Sequence, residues 1–247
     1  MRVRDKGRTA IGIMAVILIL LFLFQCIENP GEGTDIDIMG TMMNQRSFAE
    51  IAEILKELGI EGITDEIVEE MDNNYAHMPV EVLMDMQEVE GLNKAASLLT
   101  AVGSGNYDYD TWEWTPGESN VYAFDMEVYN ISQMYTFFLR GVSAIGEGEL
   151  GFTNVKEDMS NVDQETGTGK RIITFEWKGS AYTLEAEENQ DWFDFQVAQG
   201  LNEIIAAQGG SKKLYFASDG YQECIVFYCD KDWAKEFEGR TGLELED

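Results

Sequence analysis

Hydrophobic and polar positions fall into three regimes along the chain, and the first has no polar period at all. The 19 residues 9–27 ("TAIGIMAVILILLFLFQCI") carry no charged side chain. A helix of that length covers ~28 Å, close to the ~30 Å hydrocarbon core of a bilayer. Arg2, Arg4, Lys6 and Arg8 precede the run, whereas Glu28, Glu32, Asp35 and Asp37 follow it, with no Lys or Arg before Arg46. The positive-inside rule then predicts a cytoplasmic tail over 1–8, a single-pass anchor over 9–27, and the remainder outside the cytoplasm. A cleaved signal peptide and a lipidated Cys26 are the alternatives. Both call for small residues where "FLFQCIENP" places bulky ones, so an uncleaved anchor is preferred.

The second regime is helical. Residues 28–43 show Pro, Gly and acids without periodicity and read as an acidic linker. "SFAE" at 47–50 is a capping box, in which Ser47 and Glu50 satisfy each other's backbone N–H groups. Phe48, Ile51, Ala52, Leu55 and Leu58 then make one apolar stripe that stops at Gly59. Thr64 is placed to cap a second helix bearing Ile67, Val68 and Met71, and Pro79 to open a third bearing Val82, Leu83, Met86 and Val89. A fourth runs from about Leu92 to Val102 and ends at Gly103. Residues 44–103 are thus expected to form a helical subdomain.

After Gly103 the period shortens to two. "YDYDTWEW" and "VYAFDMEVY" read as strands joined into a hairpin by "TPGESN", and Asn130 as the cap of a helix with Ile131, Met134, Tyr135, Phe138 and Leu139 inward. A strand is expected near "ELGFTNV" and a polar loop at "SNVDQETGTGK". A weak repeat follows. A shift of 41 residues lays Phe175 on Phe216, Gly179 on Gly220 and Asp191-Trp192 on Asp232-Trp233. Each copy predicts a tight hairpin, through Lys178-Gly179 or Asp219-Gly220, and then a helix capped by Asp191 or Asp232. The fold class expected is α+β: a transmembrane helix, a helical block, then mostly antiparallel strands in hairpin–helix units over 104–247.

Charge narrows the partners. The first 27 residues hold four of the 17 basic side chains and one of the 46 acids, which leaves 13 bases against 45 acids beyond them. A surface of that density repels nucleic acid and anionic lipid headgroups. The 45% hydrophobic and 11% aromatic content still supports a folded core. Cys224 and Cys229 share "QECIVFYC", which reads as a strand; five residues apart they lie on opposite faces and ~16 Å distant, too far for a disulfide.

Candidate chemistry is sparse. His77 is the single histidine, so a two-histidine zinc site is excluded, and its place before Pro79 reads as a solvated turn. "GEGELG" at 146–151 follows a helix and leads into a strand, the reverse of a phosphate-binding turn, and Glu147 and Glu149 would repel the ligand. "GTGK" at 167–170 lacks the remainder of a P-loop. The acid groups 108–110, 185–189 and 191–194 read mainly as solvated surface, with Ca²⁺ binding or a glycosidase-like carboxylate pair as the sharper alternatives. Tyr107, Tyr109, Trp112 and Trp114 crowd one strand between acids, a composition that packs on a core or meets a protein or glycan partner. The expectation is therefore a membrane-anchored acidic binding module of the cell envelope, with a carboxylate-dependent hydrolase of envelope glycans as the alternative.

Overall fold

The computed structural model describes residues 33–78, 93–111, 113–163, 166–220 and 222–247. Within them the helices are α1 (Gly33–Asn44), α2 (Phe48–Glu57), α3 (Asp65–His77), α4 (Lys94–Gly103), α5 (Met134–Ile145), α6 (Gln196–Ala207) and α7 (Lys231–Thr241). The strands are β1 (Asn106–Asp108), β2 (Glu113–Thr115), β3 (Val121–Asp125), β4 (Thr153–Asp158), β5 (Val162–Asp163), β6 (Thr168–Trp177), β7 (Ser180–Glu187), β8 (Lys212–Ser218) and β9 (Glu223–Asp230). The architecture is mixed α+β, and every strand pair is antiparallel. None of the described helices is long and apolar enough to cross a membrane. The anchor expected over 9–27 and the helix expected after Pro79 lie outside the described residues.

β9 runs down the middle of the central sheet, ordered β3-β9-β8. Its side chains alternate between two cores, as the period of two requires. Cys224, Val226 and Tyr228 face one core with Tyr122, Leu214, Phe216 and the buried face of α5. Ile225, Phe227 and Cys229 face the other with Val121, Ala123, Tyr215 and the helical layer of α2, α4 and α7. The two thiols are free and buried on opposite sides, as their spacing predicts.

The helical layer follows the sequence at its caps. Ser47 and Glu50 form the expected capping box, Thr64 caps α3 through the Ile67 N–H, and Asn93 caps α4. Residues 33–43, read as linker, are instead most of α1, which packs on α7 and buries Met43 completely. Its weak apolar period hid it, because docking on α7 rather than amphipathic patterning supports the helix. His77 ends α3 and is exposed, its ring hydrogen-bonded to the Asn73 carbonyl four residues back in the helix.

Strand pairing departs from the expected hairpin. "YDYDTWEW" folds on itself as β1–β2, with Tyr107 opposite Trp114, while β3 crosses to β9, with Val121 opposite Phe227. The "TPGESN" loop between them docks on the turn after α2: Asn120 accepts from the Glu61 N–H and donates to the Gly59 carbonyl, and Ser119 donates to the Glu61 carbonyl. These contacts replace the local turn that would have paired β2 with β3. The polar loop expected at 160–170 is shortened by β5 and the start of β6.

The second sheet, β4-β6-β7 with β5 on the start of β6, buries one face. Arg171, Ile173, Phe175 and Trp177 point inward from β6, Leu184 and Ala186 from β7. Lys178 and Gly179 turn the β6–β7 hairpin with φ of 50° and 79°, the left-handed pair of a two-residue turn. The Asp219-Gly220 turn is longer than expected, with Ser218 opposite Cys224. α5 crosses β3 closely at Gly141, where a Cβ would stand 2.4 Å from the Tyr122 ring. The C-terminal residues close the outer edge of β8 through two 2.8 Å backbone bonds between Phe216 and Glu246.

Three expected caps are corrected. Asp230, not Asp232, caps α7, accepting from the N–H groups of Asp232 and Trp233 at 3.0 and 2.9 Å. Asp191 precedes a helix that starts only at Gln196, where Asp194 accepts from the Gln196 N–H. Asn130 leads into a short 3₁₀ turn without capping it, and the first turn of α5 is closed from a distance by Glu157 of β4, which accepts from the Thr136 N–H at 2.5 Å. In each case the strand or loop before the helix ends at a point that tertiary pairing sets.

Three substitutions test this arrangement. Phe227 packs against Trp233 and Phe237 with centroids 5.5 and 4.8 Å away, so Phe227→Ala is expected to destabilise by ~3–5 kcal/mol in denaturant unfolding. Asp230→Ala is expected to cost ~0.5–2 kcal/mol, whereas Asp232→Ala stays within ~0.5 kcal/mol. The reverse order for the two aspartates would refute the cap assignment.

Candidate functional site

Of the four aromatics that the sequence singles out, the structure separates three, and Trp112 lies outside the described residues. Trp114 turns into the core: it is 7% exposed, packs on Tyr122 and Phe137, and donates from Nε1 to the Ser104 carbonyl at 2.7 Å. Tyr107 lies half-buried over Phe137, and Tyr109, two residues on, is 71% exposed. The core-packing reading thus holds for Trp114, while Tyr109 remains on the surface.

A third tyrosine completes the surface. Tyr129 is 68% exposed, and its ring centroid lies 6.3 Å from that of Tyr107 and 6.4 Å from that of Tyr109, which are 5.0 Å from each other. Ile131, 39% exposed, lies two residues further on. Nothing in the sequence marked Tyr129, because "VYAFDMEVY" reads as one continuous strand. β3 stops at Asp125, and residues 126–133 take a separate course held by tertiary contacts.

Those contacts fix where Tyr129 and Ile131 stand. Glu127 bridges Trp192, the Val128 N–H donates to the Asp191 carbonyl at 2.6 Å, and the Phe193 N–H donates to the Met126 carbonyl at 2.8 Å. Beneath Ile131, Arg171 is the buried cation of β6, 1% exposed. It donates from Nη1 to the Ile131 carbonyl at 2.5 Å and holds Glu188 in a two-point pair at 2.6 and 3.1 Å. A charge so buried persists only when paired and fully hydrogen-bonded, and the Ile131 carbonyl supplies part of that requirement. Glu157 also neighbours Arg171; burial pushes its carboxyl up, opposed by hydrogen bonds from Thr136 and by the arginine charge.

Two of the acids near the tyrosines, Asp108 and Glu113, are engaged in local structure. Asp108 accepts from the N–H groups of Asp110 and Thr111, bonds that hold its carboxyl below the usual range. Glu113 faces Arg140 at 3.6 Å. Four members of the other acid groups are engaged as well. Glu185 and Glu187 flank Lys170, Glu188 pairs with Arg171, and Asp194 accepts from the Glu187 and Gln196 N–H groups. In "GEGELG", Glu147 pairs with Lys212 and Glu149 accepts from the Tyr228 hydroxyl. Among the described residues no group of three or more His, Cys, Asp or Glu side chains is arranged to hold a metal ion. A groove of about 260 Å³ lies across the sheet end, lined by Lys212, Tyr228, Cys229 and Trp233. Burial pushes the Cys229 thiol there up to about 12, which keeps it protonated and unreactive.

No family model, curated protein or solved structure matches the chain.

One carboxylate stands apart in its titration. Glu223 of β9 sits opposite Asp125 of β3, and burial together with the charges of Asp125 and Asp219 pushes it up from 4.5 to about 7. The folded chain then holds this proton more tightly than the unfolded chain. The stabilisation is complete below pH ~4.5 and is lost as pH rises through ~7. Glu223→Gln is expected to gain stability over the wild type between pH 5 and pH 8, by ~1–2 kcal/mol once solvent screening is allowed for. Parallel pH–stability curves for the two proteins would show that Glu223 is not the group responsible.

Proposed function

We propose that this protein is a membrane-tethered interaction module: residues 9–27 anchor it, the acidic α+β domain stands outside the cytoplasm, and the Tyr107–Tyr109–Tyr129 surface meets a partner. The observation that carries the reading is the pair of tyrosines, 71% and 68% exposed, clustered on a half-buried third. Tyrosine offers a large contact area with two side-chain torsions to fix, which makes it effective at interfaces. A single exposed aromatic needs no explanation, whereas a cluster of three does. The charge step around residues 9–27 supports the orientation. The hydrolase alternative draws less support, because two of the acids beside the tyrosines are already engaged, Asp108 in Asx-turn bonds and Glu113 with Arg140.

The test has two arms. A reporter fused after Asp247 is expected to be active only outside the cytoplasm, with the protein retained in the membrane after a high-salt wash. A photo-crosslinking side chain at Tyr109 or Tyr129 is expected to give discrete adducts in cells, and one at exposed Glu236 of α7 none. Full-length protein in the soluble cytoplasm, or equal labelling at all three positions, would overturn the reading.

A further inference from the structure

The segment that carries Tyr129 also holds a short motif with a chemistry of its own. Asn130-Ile131-Ser132 is an Asn-x-Ser triplet, with isoleucine in the middle and Gln133, not proline, behind it. Asn130 is the one asparagine of the chain with Ser or Thr two residues further on. Such a triplet is the acceptor for N-linked glycan transfer when it stands in a surface segment of an exported chain.

Its place in the fold meets the structural half of that condition. The triplet lies between β3, which ends at Asp125, and α5, which starts at Met134. Asn130 has φ −98° and ψ 82°, outside both helix and strand, and the short 3₁₀ turn follows it. Ile131 is 39% exposed, and Ser132 is exposed as well. The Ser132 hydroxyl donates to the Asn130 amide oxygen at 2.8 Å, so the two side chains that define the acceptor stand on one side of the segment. Asn130 is half-buried, and its side chain also bonds to Tyr107. That bond leaves the acceptor chemistry intact, because a primary amide has two N–H donors and transfer consumes one.

Exposed apolar surface gathers at the same place. Tyr129, 68% exposed, and Ile131 are the two chain neighbours of Asn130, and the Tyr109 ring lies 6.4 Å from that of Tyr129. A bulky, polar sugar at Asn130 shields part of this surface and bounds the face left to a partner.

We infer that Asn130 is an N-glycosylation site, modified by a membrane transferase that uses an oligosaccharide linked to a lipid diphosphate. The amide nitrogen attacks C1 of the first sugar. The C1–N bond forms as the bond from C1 to the phosphate oxygen breaks. The lipid diphosphate leaves with the electron pair, and one amide proton passes to a base of the transferase. The inference rests on the outward orientation proposed above, since the acceptor must stand outside the cytoplasm.

Mass spectrometry of the full-length protein, recovered from the membranes of its native cells, tests this directly. The tryptic peptide 95–140 contains the triplet and is expected to carry whole sugar residues on Asn130. Asn130→Gln and Ser132→Ala are each expected to abolish the added mass, whereas Ser132→Thr retains it. Ser132→Ala keeps the asparagine itself, so its loss of sugar marks recognition of the triplet rather than removal of the attachment atom. A bare Asn130 in the wild type, or a sugar that survives Ser132→Ala, would overturn the inference. A bare Asn130 beside a reporter active outside the cytoplasm sinks the inference and spares the orientation. A bare Asn130 with the reporter active only inside removes the two together.

Discussion

The whole described structure depends on burying β9 on both faces. A central strand with six consecutive buried residues, Cys224 to Cys229, has no solvent side, so each face must be covered by a different layer. The helical layer takes Ile225, Phe227 and Cys229; α5 with the second sheet takes Cys224, Val226 and Tyr228. Because the side-chain period is two, slipping the register by one residue would exchange the two sets. Differences in shape resist that slip. Phe227 fits among Trp233 and Phe237 of α7, while Tyr228 reaches across to Glu149 with its hydroxyl.

The buried Arg171 ties this frame to the surface. It stands at an inward position of β6, in the series that otherwise carries Ile173, Phe175 and Trp177. A cation there is tolerated because Glu188 meets it at two points and the carbonyls of Ile131 and Gln190 accept two more of its N–H donors. Removing either partner of such a pair leaves an uncompensated buried charge. The electrostatic need of one strand residue thus helps to fix the backbone at Ile131, while the contacts of Met126, Glu127 and Val128 with residues 191–193 hold the start of the segment. A surface that presents aromatic rings at fixed spacing gains from such preorganisation, since fewer side chains and loops remain to be ordered on binding.

Acidity shapes the molecule in two ways. It opposes the approach of like molecules, and it favours the approach of groups that bring positive charge. It also leaves local strain where carboxylates gather at a strand end, as Glu223, Asp125 and Asp219 do. Elsewhere the acids are absorbed by caps and Asx turns, as at Ser47–Glu50, Asp108 and Asp230.

Much of the local structure was legible in the chain. The capping box at Ser47, the cap at Thr64, the Lys178-Gly179 turn and the two-faced strand "QECIVFYC" all follow from interactions among residues a few positions apart. The α+β class follows from the change of period after Gly103. Tertiary structure alone decided which strands pair, because β3 meets β9 across about a hundred residues and the "TPGESN" loop turns toward the helical layer. It also decided that residues 33–44 are helical, that Glu157 rather than Asn130 closes α5, and that Asp230 rather than Asp232 caps α7. At the surface, the sequence by itself brought Tyr107 and Tyr109 to notice, while Tyr129 joined them through the bond from Arg171 to the Ile131 carbonyl and the bridge to Trp192. Local patterns record the free energy of neighbours along the chain; the meeting of three tyrosines is set by burial and charge pairing between segments that no local pattern records.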